Sequence, residues 1–119
     1  YHIDNTKLKH VIIENQIAPK ANRMKSLQCM LTQYFITKDI ENIEYISAIN
    51  KLTNFVDKPT EYSERKKLAI QVTTQLLSKY NTEWLKKLKE SKKKDDLADC
   101  YLQMLWFIQK NTLCEINNI

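Results

Sequence analysis

Two aspartates near the C-terminal end of the chain stand three residues apart in a segment that is otherwise rich in apolar residues. Asp96 and Asp99 lie within about 60° of each other on a helix, and Gln103 shares their stripe. The other sides of this predicted helix, at about 95–111, carry mostly apolar side chains, so we expect the helix to be largely buried. Two buried carboxylates are costly unless a positive charge lies between them, and a divalent cation supplies it. Asp95 lies off the stripe and suits an N-cap or first-turn role.

A third carboxylate, Glu14, ends a continuous β-branched run that predicts a strand at 9–14. A helix capped by Asn22 and a second strand at 43–48 follow, which makes a βαβ unit with parallel strands. Glu14 then lies at the carboxyl end of a parallel strand, where open α/β sheets bind ligands. The residues expected on the apolar face of the helix are Met24, Leu27, Leu31, Tyr34 and Phe35.

Three carboxylates from two elements predict a site for Mg²⁺ or Mn²⁺, because both cations prefer oxygen ligands. Two such ions about 4 Å apart activate water and stabilise the leaving oxygen in phosphodiester hydrolysis. Basic stretches at 65–67 and 86–94 are suited to neutralising DNA phosphates. The sequence therefore favours metal-dependent chemistry on DNA.

The elements that carry these basic stretches are mainly helical. Residues 49–61 read as a loop, and Ser63 is the expected N-cap of a helix. The short basic segment 81–91 reads as a second helix or a turn. The apolar side of the first of these helices is expected to consist of Leu68, Val72, Leu76, Leu77 and Tyr80.

The composition excludes several other chemistries. The chain of 119 residues has no glycine, although about eight are expected at average usage. Dinucleotide-binding loops, P-loops and GxSxG elbows all need glycine, so we expect no nucleotide cofactor of that kind. A net charge of +5, short apolar runs and three cysteines fit one intracellular domain with buried free thiols and no membrane span.

Taken singly, each of these features also has a purely structural interpretation. A first-turn Asp usually complements the helix dipole, a Glu that ends a strand is usually solvated, and a lysine run is usually a solvated face. Together and in this order they resemble a family, the Holliday junction resolvases of poxviruses and related large DNA viruses. The matching segments are Val11-Ile12-Ile13-Glu14-Asn15-Gln16, Pro19, Asn22-Arg23-Met24-Lys25, Tyr62-Ser63-Glu64-Arg65-Lys66-Lys67 and Lys94-Asp95-Asp96-Leu97-Ala98-Asp99.

The resemblance covers about residues 8–110 and implies an α/β, ribonuclease H-like fold. It implies a homodimer that nicks four-way DNA junctions with Mg²⁺ or Mn²⁺, in an infected cell's cytoplasm or replication site. Its metal ligands would be Glu14, Asp96 and Asp99, which with an active-site lysine make up the catalytic set. That lysine would be Lys66, or Lys67 if the register shifts by one. More weakly implied DNA contacts are Arg65, Lys67, Lys92, Lys93 and Lys94.

The sequence departs from the family at the first strand, where members carry another catalytic Asp in an Asp-Ile-Gly-like stretch. Asp4 precedes a polar, lysine-rich segment rather than an apolar strand. We therefore expect residues 1–119 to be the C-terminal part of one ribonuclease H-like domain without its first hairpin strands, and to be inactive alone. Because the family's Asp-Ile-Gly-like stretch lies in this hairpin, its absence would also explain in part why the sequence contains no glycine.

Two other functions stay open. One is a ribonuclease H-like exonuclease, although the acids of its last motif are usually spaced by four or five residues rather than three. The other is a non-catalytic, basic DNA-binding α/β domain in which the carboxylates are structural.

Overall fold

The structure, a computed structural model, describes residues 4–17 and 19–111. A strand, an α-helix and a second strand come first in the chain, and the later elements up to Lys110 are helical. In chain order they are β1 (His10–Glu14), α1 (Asn22–Thr37), β2 (Asn42–Ile46), α2 (Tyr62–Tyr80), α3 (Thr82–Glu90) and α4 (Lys94–Lys110). Short 3₁₀ helices occupy Asn5–Lys7 and Ala48–Leu52. The contacts divide the chain into two compact units, Tyr1–Ala48 and Ile49–Ile119, which are called the strand unit and the helical unit below.

The strand unit contains the expected strand, helix and strand. β1 pairs with β2 in parallel, with His10 opposite Asn42 and Glu14 opposite Ile46. The ladder continues one step further, because the Asn15 amide donates to the Ile46 carbonyl at 2.8 Å. The predicted parallel βαβ order is confirmed, and Glu14 lies at the carboxyl end of its strand.

Asp39 allows the chain to turn from α1 into β2 without glycine. Its φ of 59° is in the left-handed region, which Asp tolerates better than most side chains. The Asp39 amide donates to the Ile36 carbonyl and the Ile40 amide to the Phe35 carbonyl, which is the Schellman pattern of a helix end. An aspartate therefore takes the position that glycine usually fills.

α1 forms where a helix was expected, but its apolar face is not buried within the described residues. Met24, Leu27, Leu31 and Tyr34 are all exposed within the described residues, and Phe35 is half-buried. The one buried residue of the helix is Gln28, whose side-chain oxygen accepts a hydrogen bond from the Gln16 amide at 2.8 Å. The helix thus contacts the end of β1 through a polar side chain.

The helical unit has an apolar core between α2 and α4. The expected positions Val72, Leu76 and Leu77 are buried, whereas Tyr80 is exposed and Leu68 is only partly buried. The strand expected at 43–48 ends at Ile46, and the 3₁₀ helix Ala48–Leu52 extends from its expected last residue into the segment expected to be a loop. The core cluster consists of Leu52, Ala69, Val72, Leu76, Ala98, Leu102 and Leu105.

The predicted N-caps of α1 and α2 are wrong. The N-caps are Ala21 and Glu61 rather than Asn22 and Ser63, because both helices begin at or before the residue expected to cap them. Neither observed cap makes a side-chain hydrogen bond to its helix. α3 is confirmed as a helix and has a true cap, since the Asn81 side chain accepts from the Trp84 amide at 3.2 Å.

The cysteines correct one further expectation. Cys29 and Cys100 are free thiols, as expected, but both residues are exposed rather than buried. Cys114 lies outside the described residues. No helix among those described is both long and apolar enough to cross a membrane.

Candidate active site

The acidic motif opens α4, in the helical unit. Lys93 is the N-cap residue, and its amide donates to the Ser91 hydroxyl at 3.1 Å. Asp95 and Asp96 follow in the first turn, where the helix dipole favours negative charge. The local sequence therefore fixes the backbone of the motif, and tertiary contacts determine the surroundings of each carboxylate.

Asp99 is the most enclosed of the three aspartates. Its Oδ2 accepts a hydrogen bond from Lys51 Nζ at 2.5 Å, and the side chains are 23% and 18% exposed, respectively. Its Oδ1 is buried and has no hydrogen-bond partner within the described residues. A buried carboxylate oxygen without a partner is unfavourable, and a ligand that reached this atom would offset that cost.

Asp95 pairs with Lys66, which the family resemblance implies as the active-site lysine. Lys66 Nζ lies 3.0 Å from Asp95 Oδ2 and 5.1 Å from the centre of the Tyr62 ring. The hydrogen bond to Asp95, with a smaller contribution from Tyr62, raises the pKa of Lys66 above its ordinary value. The same hydrogen bond lowers the pKa of Asp95. These contacts hold Lys66 charged, beside the first turn of α4.

Asp96 and Gln103 lie in different environments although they share one stripe of α4. Gln103 is buried, whereas Asp96 is exposed, so the expectation of a largely buried helix is wrong at Asp96. The reason is that α4 is covered mainly on the side of Ala98 and Leu102. Leu97, Cys100 and Met104 instead border an apolar groove of about 580 Å³ in the helical unit.

Glu14 is half-buried at the end of β1, in the strand unit. The Gln16 side-chain amide donates to the Glu14 carboxylate at 3.4 Å and to its carbonyl at 3.3 Å. Among the described residues, no three His, Cys, Asp or Glu side chains form a group that could hold a metal ion. The ligand set Glu14, Asp96 and Asp99 stays a prediction.

The predicted DNA-contacting residues are exposed. Arg65 and Lys67 flank the half-buried Lys66 on α2. The lysine run Lys92, Lys93 and Lys94 is exposed immediately before the aspartates of α4. The basic side chains and the acidic motif therefore occupy adjacent positions in the helical unit.

Sequence reasoning missed the two lysine partners of the acidic motif. Lys51 stood in a segment expected to be a loop, far from Asp99 along the chain. Asp95 was expected to act only at the helix terminus, yet it also pairs with Lys66. The sequence signal for the second pair was the run of three cations near the start of α2, Arg65, Lys66 and Lys67, which oppose the helix dipole and so need compensation.

The described residues form two parallel strands and four α-helices, which is a mixed α/β structure. Asp95 and Asp99, in the first two turns of α4, pair with lysines, so the acidic motif lies in basic surroundings. A family model described as "Poxvirus A22 protein" matches residues 1–110. The chain belongs to this family, the poxvirus A22 family of Holliday junction resolvases.

One curated relative is a mimivirus protein. The chain is 33% identical over 128 aligned residues to "Uncharacterized protein L451" of Acanthamoeba polyphaga mimivirus. The alignment covers 91% of this chain and 31% of that protein, so the chain spans about a third of the length of the relative. No solved structure gives a significant match to the chain.

Proposed function

We propose that this chain carries the metal-binding and DNA-binding residues of a ribonuclease H-like endonuclease that resolves four-way DNA junctions by paired phosphodiester hydrolysis. The observation that carries the proposal is the family match over residues 1–110, which includes both the strand ending in Glu14 and the acidic opening of α4. Such a reaction needs two symmetric cuts, so we propose that the protein acts as a homodimer on branched DNA. As a member of a poxviral family, it would act in an infected cell.

The three proposed ligands are all carboxylates. Asp96 is accessible, and the buried Oδ1 of Asp99 has no partner among the described residues. Carboxylate oxygens are the donors that Mg²⁺ and Mn²⁺ prefer. We therefore assign Glu14, Asp96 and Asp99 as the ligands that these 119 residues contribute.

Bound Mg²⁺ would activate the attacking water and stabilise the charge on the leaving oxygen. The chain's own residues have separate tasks. Lys66, held in its charged form by Asp95, would donate a hydrogen bond to the scissile phosphate. Arg65, Lys67 and the lysines at 92–94 would pair with flanking phosphates, which positions the DNA without reading its sequence.

The test is a cleavage assay with the natural full-length protein on a labelled four-way junction and on a linear duplex of the same sequence. The proposal expects Mg²⁺-dependent, paired nicks near the branch point of the junction, no cleavage with EDTA and little cleavage of the duplex. Degradation from the ends of the duplex with an intact junction would instead favour the exonuclease. Binding to the junction without cleavage would favour a non-catalytic DNA-binding protein.

The same assay on residues 1–119 tests the contribution of the family's other aspartate. The family places it in a strand motif that these residues do not contain. We propose that residues 1–119 alone bind the junction but do not cut it, because one metal ligand is missing. Cleavage by residues 1–119 at the rate of the full-length protein would show that the ligand set is complete without that aspartate.

A further inference from the structure

Lys51 lies at Asp99 because the core of the helical unit holds it there. Its neighbour Leu52 is 6% exposed and belongs to the same apolar cluster as Ala98 and Leu102 of α4. The Leu52 carbonyl also accepts from the amides of Phe55 and Val56, at 2.9 and 3.1 Å. The backbone beside Lys51 is therefore anchored against the helix that carries Asp99.

The Lys51–Asp99 pair differs from the surface ion pairs of the chain. Lys86 and Glu90, for example, are 4.0 Å apart and their side chains are 78% and 66% exposed. Lys51 Nζ and Asp99 Oδ2 are 2.5 Å apart, and both side chains are more than three-quarters buried. A partly buried pair is screened less by water and salt, so its interaction is stronger than that of a surface pair.

We propose that Lys51 is a positioning residue that holds Asp99 in the metal-free protein and leaves Oδ2 when a divalent cation binds. This inference rests on the proposed function, which assigns Asp99 as a metal ligand. The ammonium group and the cation compete for one carboxylate, and their like charges repel in partly buried surroundings. Lys51 therefore keeps Asp99 paired in the absence of the cation and weakens the affinity of the site for the cation.

Lys51→Met keeps the apolar stem of the side chain and removes its charge. The proposal predicts that this change lowers the stability of the metal-free protein and raises its affinity for Mn²⁺. Without a metal ion, the variant should unfold at a lower temperature, because Asp99 has lost its partner. With Mn²⁺, it should bind the cation about tenfold more tightly, a difference of about 1.4 kcal/mol. A purely structural lysine would give the first effect without the second.

The experiment measures free Mn²⁺ by electron paramagnetic resonance during titration of the full-length protein and its variants. Lys86→Met is the matched control, because it removes the same charge from an exposed pair, and its Mn²⁺ affinity should stay within twofold of the wild-type value. Lys51→Arg keeps the charge and should also stay within twofold. Unchanged or weaker Mn²⁺ binding by folded Lys51→Met overturns the proposal.

A measurement on the wild-type protein keeps the test independent of whether Lys51→Met folds. The side-chain nitrogen of Lys51, followed by NMR, should change its chemical shift on addition of Mg²⁺ as its ion pair breaks. A shift unchanged at saturating Mg²⁺ overturns the proposal.

Asp99→Asn distinguishes failure of the metal-site assignment from failure of the role of Lys51. If Asp99→Asn leaves Mn²⁺ binding intact, the metal assignment in the proposed function fails as well. If it abolishes binding while Lys51→Met binds like wild type, only the role of Lys51 fails.

Discussion

The two units of the chain differ in how their secondary structure is supported. In the helical unit, α2 and α4 share a buried apolar cluster that includes Leu76 and Leu102. In the strand unit, β1 and β2 form a two-stranded sheet, and the buried residue of α1 is the polar Gln28. Most of the large apolar side chains of α1 are exposed within the described residues. Segments with few buried apolar contacts open locally at lower free energy, so we expect the helical unit to be the more stable region.

This difference bears on the candidate site. Asp95, Asp96 and Asp99 are on a helix that is anchored in an apolar core. Glu14 ends a strand, and the next two residues, Asn15 and Gln16, are hydrogen-bonded to Gln28. The aspartates are therefore on a rigid element, whereas the position of Glu14 depends on a weaker set of polar contacts.

Truncation of a side chain in the apolar core should have the largest effect on the free energy of unfolding. Leu102 is 0% exposed, so Leu102→Ala should lower the free energy of unfolding by about 3–5 kcal/mol through lost burial and the resulting cavity. The matched change in the strand unit is Leu31→Ala, at a residue that is 41% exposed, and it should cost less than about 1 kcal/mol. Chemical denaturation followed by circular dichroism measures both. Equal losses would contradict the contrast between the units.

Disruption of the hydrogen bond between Gln16 and Gln28 at the end of β1 should have the next largest effect on the free energy of unfolding. Gln28→Leu leaves the Gln16 amide without its 2.8 Å acceptor and should cost about 1–2 kcal/mol. The loss should be local, so hydrogen exchange of the Gln16 amide should accelerate while amides in α2 and α4 keep their protection. A uniform loss of protection in both units would show that they unfold together.

An unsatisfied hydroxyl in the helical unit offers a stabilising change. Thr73 is 1% exposed, and its Oγ1 has no hydrogen-bond partner among the described residues. Thr73→Val removes the buried hydroxyl at nearly constant volume and should raise the free energy of unfolding by about 1 kcal/mol. Thermal denaturation measures the change, and a lower melting temperature would show that the hydroxyl does have a partner in solution.

The Lys66–Asp95 pair should have the smallest effect on stability, because it is partly exposed. Asp95 has its pKa lowered from an ordinary 3.8, so its contribution is present above that pH and is lost as the pH falls through the folded value. Lys66 has its pKa raised from an ordinary 10.5, so its contribution is lost as the pH rises through the folded value. The stability difference between wild type and Asp95→Asn should thus be greatest between about pH 4 and 10 and shrink outside that window. A difference that does not vary with pH would contradict this coupling.

The sequence predicted most of the secondary structure because hydrophobic periodicity is local. The strand at Glu14, the helices around Leu76 and Leu102 and the short basic helix at Trp84 all form where expected. The burial of α1 was not predictable in this way, because the pattern shows which residues share a face but not whether another element covers it.

The candidate site was only partly predictable for the same reason. The spacing of Asp96 and Asp99 showed that both are on one side of a helix, and the family resemblance supplied their proposed role. No local pattern connects Lys51 to Asp99, because the pair forms only when the 3₁₀ helix Ala48–Leu52 packs into the core. The accessibility of Asp96 likewise follows from which side of α4 the neighbouring helix covers.

The most direct test of the central claim compares the three neighbouring aspartates of α4 in junction cleavage by the full-length protein. Asp96→Asn and Asp99→Asn should each lower the Mg²⁺-dependent cleavage rate by at least about a hundredfold, because each removes a charged metal ligand, while junction binding stays close to that of wild type. Asp95→Asn should lower the rate less than about tenfold, because Asp95 pairs with Lys66 and is not assigned as a ligand. Undiminished cleavage by Asp99→Asn, or a larger loss for Asp95→Asn than for the other two, would contradict the account.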